Sequence, residues 1–353
     1  MLQKFLKLFE LGYPSFWKKN NNLINKIFII FLLPLSLLYF LISKIYKKII
    51  KEKRVGVPVI CIGNLNVGGS GKTPFVIFLA NLLNKKKIKT HVVTRGYLGK
   101  YKGPVRVDPK KHSSKDVGDE ALLIAKKNPT WVSKNKFEGA LMATLHGADV
   151  IILDDGLQNY SLYQNLKIIV VDGEFGFGNK LLLPAGPLRE TISSGLKKSD
   201  LLIIFNNDKT KIKEKVKKKI PIVGIKSKTK LNYKIKKSKI VAFSGIGRPE
   251  KFLESLKESN LNVKKFFPFP DHYRYSKREI NDLIKYANEN NSILVSTKKD
   301  EQRINLDQRK KINFLDLEIV IKNKDSLINF LKKNDCINLK KIFFTFFKEF
   351  SFY

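Results

Sequence analysis

Cysteine is nearly absent: Cys61 and Cys336 are the two in 353 residues. Two cysteines make no disulfide framework, so the catalytic part of the chain is expected in a reducing compartment. No Cys/His cluster has the spacing of a zinc site. Acidic residues are scarce too: Asp and Glu number 31 against 68 Lys and Arg, a formal net charge of +37. That imbalance invites a nucleic-acid reading. The excess is mostly lysine, however, and is spread over every segment, with no aromatic-interleaved stripe or base-reading motif. No nucleic-acid partner is expected, and an anionic membrane surface is the better counterpart. Arginines are few, so those standing in motifs (Arg95, Arg189, Arg248, Arg274) carry more weight, because a guanidinium is preferred for bidentate phosphate contact. No internal repeat is visible, and the length suits two domains.

One long apolar run stands out. Ile27 to Ile42 is almost unbroken, with Lys18, Lys19 and Lys26 before it and Lys44, Lys47 and Lys48 after it. It is short of the roughly 20 residues of a comfortable span, and Pro34 interrupts it. No small-residue cleavage site follows, which argues against a secretory signal. Few core helices are apolar on all faces, so a membrane-inserted or half-inserted helix is favoured over a buried one.

From Val57 onward, strand and helix patterns alternate. Strands are expected at Val57–Ile62, Thr90–Thr94, Val150–Leu153, Lys167–Val171 and Leu201–Phe205. That pattern predicts an α/β fold with a mostly parallel sheet flanked by helices. Lys209–Lys219 reads as a polar helix and Lys226–Lys239 as a lysine-rich connector. A second, smaller α/β unit follows, with strands at Ile240–Phe243, Val263–Phe267 and Ile293–Ser296. The expected division is 1–54 (membrane-associated), 55–225 (core), 226–239 (connector), 240–335 (smaller domain) and 336–353 (aromatic tail).

The richest signal lies between the first strand and the helical run Phe75–Leu83. It is Asn66-Val67-Gly68-Gly69-Ser70-Gly71-Lys72-Thr73. Strand, glycine loop and helix in that order make a phosphate cradle of the P-loop NTPase type. Glycines let backbone N–H groups turn inward, and the helix N-terminus adds its dipole. Lys72 would reach the β/γ-phosphates of a nucleoside triphosphate, and Thr73 would sit on Mg²⁺. The strict pattern wants glycine where Asn66 stands, and Asn tolerates unusual backbone angles better than most residues.

Further candidates sit at loop positions. Asp154-Asp155-Gly156 follows an apolar strand, where Mg²⁺ needs an oxygen ligand, and two adjacent carboxylates repel unless a cation lies between them. The alternative is a turn using Asp as a cap. Asp119, in Val117-Gly118-Asp119-Glu120, opens a helix, and by itself reads as ordinary N-terminal capping. His272 is a loop histidine beside Asp271, either structural or a general base or its partner. Arg95 with Tyr97, and Arg189 with Glu190, are candidate phosphate or substrate contacts; either arginine could equally be in a surface ion pair. Thr297-Lys298-Lys299-Asp300 has letters similar to a guanine reader but follows a strand of the second unit.

Taken in order, these motifs resemble one family, the tetraacyldisaccharide 4′-kinases that phosphorylate a lipid A precursor. The likeness runs from Phe9-Glu10 to about Asp300. It rests on the glycine loop through Pro74, Thr94-Arg95-Gly96-Tyr97, Val117-Gly118-Asp119-Glu120, Asp154-Asp155-Gly156-Leu157-Gln158 and Leu183-Pro184-Ala185-Gly186-Pro187-Leu188-Arg189-Glu190. Phe243-Ser244-Gly245-Ile246-Gly247 with Pro249, Phe269 with Asp271-His272, and Thr297/Lys299/Asp300 complete it. Asn66 is a feature the family shares. The resemblance implies ATP-dependent transfer of the γ-phosphate to the 4′-hydroxyl of a lipid A disaccharide 1-phosphate. The work would take place at the cytoplasmic face of the inner membrane, with ATP and Mg²⁺, by a monomer. It implies Asp119 as the catalytic carboxylate, His272 as its partner from the smaller domain, and Asp154 and Asp155 as organisers of Mg²⁺. One position departs: the family's Asp-Asp-Gly-x-Gln-His ends here in Asn159, which cannot carry a proton. A different P-loop kinase or GTPase, a nucleic-acid-dependent ATPase and a decayed kinase remain as competing readings.

Overall fold

The computed structural model describes residues 14–18, 22–216, 219–230, 233–321 and 324–334. The expected aromatic tail, Cys336 and Phe9-Glu10 lie outside them. Helix α1 (Leu23–Ile49) is 27 residues long. At 1.5 Å per residue it measures about 40 Å, against a hydrocarbon core of about 30 Å. It is long and apolar enough to cross a membrane, so the helix extends well beyond the marginal apolar run read from the sequence. Its sidedness is inverted relative to a soluble helix. Asn25 and Ser36 are buried, while Leu23, Phe31, Leu37 and Ile49 are more than half exposed. The polar side faces protein: Ser36 Oγ donates to the Leu182 carbonyl (3.0 Å), and Tyr39 donates to the Arg189 carbonyl (2.9 Å).

Strands β1 (Val59–Gly63), β2 (Thr90–Thr94), β3 (Val105–Arg106), β4 (Thr130–Val132), β5 (Val150–Asp154), β6 (Leu166–Asp172), β7 (Leu201–Phe205) and β8 (Ile222–Thr229) join β13 (Leu317–Ile321) in one nine-stranded sheet, in the order β13-β8-β7-β6-β1-β5-β2-β4-β3. Pairing is parallel from β8 to β4, with an antiparallel strand at each edge. The central strands are apolar throughout because helices cover both faces. On one face, helix α2 (Lys72–Lys85) buries Phe75, Val76, Leu79 and Leu83 against Ile60, Ile62, Ile152 and Ile168. A second sheet, β10-β9-β11-β12, contains β9 (Lys239–Ser244), β10 (Asn262–Pro268), β11 (Ile293–Thr297) and β12 (Asn313–Leu315). Apolar clusters line both of its faces.

Three expectations change here. The connector over 226–239 does not exist as such, because Lys226–Thr229 completes β8 and Tyr233–Lys237 is helical. The alternation Lys226-Ser227-Lys228-Thr229, exposed and half-buried in turn, is the period-two signature of a strand with one wet face. Nor does the smaller unit keep everything from 240 to 335. Strand β13 returns to pair with β8, and Leu327 and Leu331 of the final helix join the large core. The expected polar helix over 209–219 is confined, among the described residues, to Ile212–Val216.

Candidate active site

The glycine loop leaves β1 and enters α2 through Gly71. Gly68 and Gly71 have φ of 92° and 87°, a region L side chains rarely adopt. A Cβ at Gly71 would lie 2.6 Å from the Phe205 ring. Asn66 does not need such an angle. Its side chain donates to the Gly176 carbonyl (2.8 Å), and Val67 N–H donates to the Pro187 carbonyl (2.9 Å). Asn66 therefore fastens the loop to its neighbours, where a glycine could only turn. Ser70 Oγ is buried without a hydrogen-bond partner, an orphaned donor in a loop shaped to hold anions.

Across the loop, β5 delivers the paired carboxylates. Asp155 adopts φ 52°. Its N–H donates to the Ile62 carbonyl (2.9 Å), which pins the turn to β1. Arg189 Nη1 contacts both Asp155 oxygens, at 2.8 and 2.9 Å, and Lys72 Nζ lies 3.5 Å away. Burial works to raise Asp155, but Lys72 and Arg189 outweigh it and hold the carboxyl well below its usual range. Asp154 behaves oppositely. It is 2% exposed and accepts from Thr94 Oγ1 (3.0 Å). Burial, then Glu120 and Asp155, raise it. Lys136, which sequence reasoning missed, is buried with Nζ donating to the Asp154 carbonyl (2.9 Å). Burial lowers this lysine to about 8.

The third cluster joins the two sheets. Asp119 sits in the first turn of helix α3 (Asp119–Ala125) and is 5% exposed. Gly118, not Asp119, is the N-cap, so the sequence reading of Asp119 as a cap is corrected; one Asp119 oxygen accepts from the adjacent Glu120 N–H (2.9 Å). The other meets His272 Nδ1 at 3.0 Å and Arg303 Nε at 3.1 Å. Lys299 Nζ lies 3.1 Å from Glu120 and 3.5 Å from His272 Nε2. Burial pushes Asp119 up, but Lys299, the His272 hydrogen bond and Arg303 together hold it well below the ordinary carboxylate value. A cavity of about 60 Å³ opens on Asp119 and His272, with Leu98, Lys115 and Arg274 in its lining. The Tyr97 ring packs edge-on against His272 at 5.2 Å between centroids.

The remaining sequence candidates divide. Arg189 is engaged with Asp155 inside the site. Glu190 pairs with Lys198 (2.7 Å) and accepts from Gln158 (2.9 Å). Arg95 is exposed just beyond β2. Asp300 accepts from Thr297 Oγ1 (2.6 Å), Tyr275 (2.8 Å) and Gly245 N–H (3.1 Å), and is fully buried. It ties the first turn of the helix after β11 to the 245 loop and to Tyr275 within the smaller domain. Asn159 Oδ1 accepts from Leu162 N–H and Ser161 Oγ, both at 3.2 Å, and so holds a turn. Arg303 was not singled out from sequence; its signal was an arginine in a lysine-rich chain three residues past Asp300.

Residues 28–334 match the protein family described as tetraacyldisaccharide-1-P 4′-kinase. The tetraacyldisaccharide 4′-kinase of Paramagnetospirillum magneticum is 40% identical over 308 residues, covering 87% of this chain and 93% of that one. That of Rickettsia akari is 36% identical, covering 91% and 96%. Among solved structures, LpxK from Aquifex aeolicus in complex with ATP is similar with a TM-score of 0.70 and 29% identity, covering 87% of this chain and 99% of that one.

Proposed function

Since the chain belongs to the tetraacyldisaccharide-1-P 4′-kinase family, we propose that its glycine loop and its two-domain carboxylate cluster serve the two reactants of one phosphoryl transfer. The protein is a kinase of lipid A biosynthesis that uses ATP. The γ-phosphate goes to the 4′-hydroxyl of a tetraacyldisaccharide 1-phosphate.

The observation that carries the site reading is Asp119 meeting His272, 153 residues downstream, at 3.0 Å. A sugar hydroxyl is a poor nucleophile at neutral pH, so a carboxylate kept ionised beside it orients it and accepts its proton. His272 would fix that carboxylate and share the proton. Lys72, on the glycine loop with Asn66 to Thr73, would neutralise charge developing on the transferred group, and positioning supplies most of the rate. Arg95 and Tyr97 would line the acceptor's approach. Arg189 and Glu190 would act one step back, Arg189 by fixing Asp155.

Among the described residues no three His, Cys, Asp or Glu side chains form a metal cage by themselves. Mg²⁺ does not require one, because it is held by one or two carboxylates and substrate phosphates. The donor set fits: Asp154 and Asp155 offer carboxylate oxygens and Thr73 a hydroxyl, the oxygen ligands Mg²⁺ takes. Burial first, then the neighbouring Glu120 and Asp155, raise Asp154, and a divalent ion would oppose the carboxylates' part. Thr73, Asp154 and Asp155 would hold it, and when bound it supplies charge neutralisation at the β- and γ-phosphates.

Incubation with ATP, Mg²⁺ and disaccharide 1-phosphate is expected to give a product heavier by one phosphate, and chelation by EDTA to abolish it. Conversion at an equal rate with GTP would overturn the ATP reading.

Helix α1 supports membrane association, at the cytoplasmic face of the inner membrane where ATP and the lipid acceptor meet. A monomer suffices, because one chain carries both halves of the site. Removing residues 1–50 is expected to move the protein from the membrane pellet to the supernatant. Retention in the pellet would assign attachment to the basic surface instead.

A further inference from the structure

We propose that Asp172 is a positioning residue that fixes the smaller domain's 245–248 loop against the glycine loop and thereby sets the His272–Asp119 contact. The inference rests on the kinase reading above. Asp172 ends β6, the neighbour of β1, and is 3% exposed. One oxygen accepts from the N–H groups of Glu174 (2.9 Å) and Phe175 (3.3 Å). The other receives two cations from the smaller domain, Arg248 and Lys251. Arg248 precedes helix α5 (Pro249–Glu258, numbered after α4, Lys136–Leu145) and Lys251 lies in its first turn.

This contact is adjacent to the nucleotide site. A Cβ built at Gly247 would stand 3.4 Å from Gly69 N, so the Gly247 backbone already rests on the glycine loop. From there a short path leads to the reacting groups. The Gly245 carbonyl accepts from His272 N–H (3.1 Å) and from Arg303 Nη1 (2.8 Å). Both side chains end on Asp119. Displacing Arg248 therefore displaces the carbonyl from which His272 and Arg303 hang.

The far flank of the smaller domain is held separately, by Lys299 on Glu120 (3.1 Å) and Glu301 on Lys126 (3.0 Å). Contacts on that flank alone would leave the domain free to pivot over the nucleotide. Contacts on both sides of the glycine loop fix its orientation. Asp172 touches no reacting atom, and misplacement of an ångström is enough to lower a transfer rate by orders of magnitude.

Asp172→Asn is expected to lower kcat for sugar phosphorylation at least about tenfold. It should raise the fraction of ATP hydrolysed without transfer and leave the Kd for a non-hydrolysable ATP analogue within about threefold. The double variant Arg248→Gln/Lys251→Gln alters only partly exposed side chains and should reproduce these effects, with no further loss when Asp172→Asn is added. Lys209→Gln removes an exposed pair with Glu174 on the same face and should keep wild-type kcat. Wild-type kcat and coupling in both Asp172→Asn and the double variant would overturn the proposal. So would nucleotide affinity falling in step with kcat. Spin labels at Lys209→Cys and Lys285→Cys read the positioning without turnover: the interdomain distance distribution should broaden on adding Asp172→Asn, and an unchanged distribution overturns the inference. Failure of the wild-type protein to phosphorylate the disaccharide would sink the kinase reading and leave this distance test standing.

Discussion

Asp119→Ala lowers kcat by about 10²-fold or more while ATP affinity stays nearly unchanged. The side chain lines the cavity, where a hydroxyl would approach, and among the described residues makes no hydrogen bond or ion pair with the glycine loop. Its loss would remove the proposed proton acceptor and leave His272 Nδ1 and Arg303 Nε without their shared oxygen. Asp119→Asn separates the two effects: it preserves the shape and removes the charge, and kcat should fall as far. The check is steady-state kinetics with ATP and acceptor varied independently, together with nucleotide binding by calorimetry. Unchanged turnover in Asp119→Ala would remove this residue from the chemistry.

The second large effect is on stability. Arg303 is buried, with Nε 3.1 Å from Asp119, Nη1 3.4 Å from Asp300, and a hydrogen bond from Nη1 to the Gly245 carbonyl. Arg303→Met leaves two buried carboxylates short of a cation, a loss of about 3–5 kcal/mol when one partner of a buried pair is removed. With two sheets in the chain, hydrogen exchange localises the loss better than a single melting temperature. Protection should fall in β9, β11 and α3. The loss should also depend on pH. The folded-state pKa of Asp119 is depressed, so its ionic partners contribute stability above the unfolded value of about 3.9 and lose it as pH falls toward the folded value. The gap between wild type and variant should be full at pH 7 and narrow below about pH 4. A gap constant down to pH 3 would count against the ion pair as its source.

Legibility in the sequence followed the range of the interactions. Lys72 and Thr73 could be read because strand, loop and helix are contiguous, and the parallel sheet because its strands are apolar on both faces. Asp154 and Asp155 were visible at the end of such a strand. Asp119 was not visible from its neighbours. Locally it is one more acidic residue in a helix's first turn, and its distinction comes from His272 and Arg303 in another domain. Only the ordered resemblance pointed there. Arg303 and Lys136 escaped because a buried cation carries no local pattern; burial and partner are properties of the fold. Strand β13 was hidden for a similar reason, since an edge strand's partner, here β8, lies about ninety residues earlier in the chain.

Tyr39 ties the apolar rod of helix α1 to the carbonyl of the same arginine whose guanidinium clasps Asp155. If helix α1 is a membrane anchor as proposed, solubilising the protein would be an operation on the proposed catalytic centre as well as on its location. A detergent that pries the rod from its loop loosens Arg189 at the root, and preparations of equal purity should differ in specific activity according to how they were extracted.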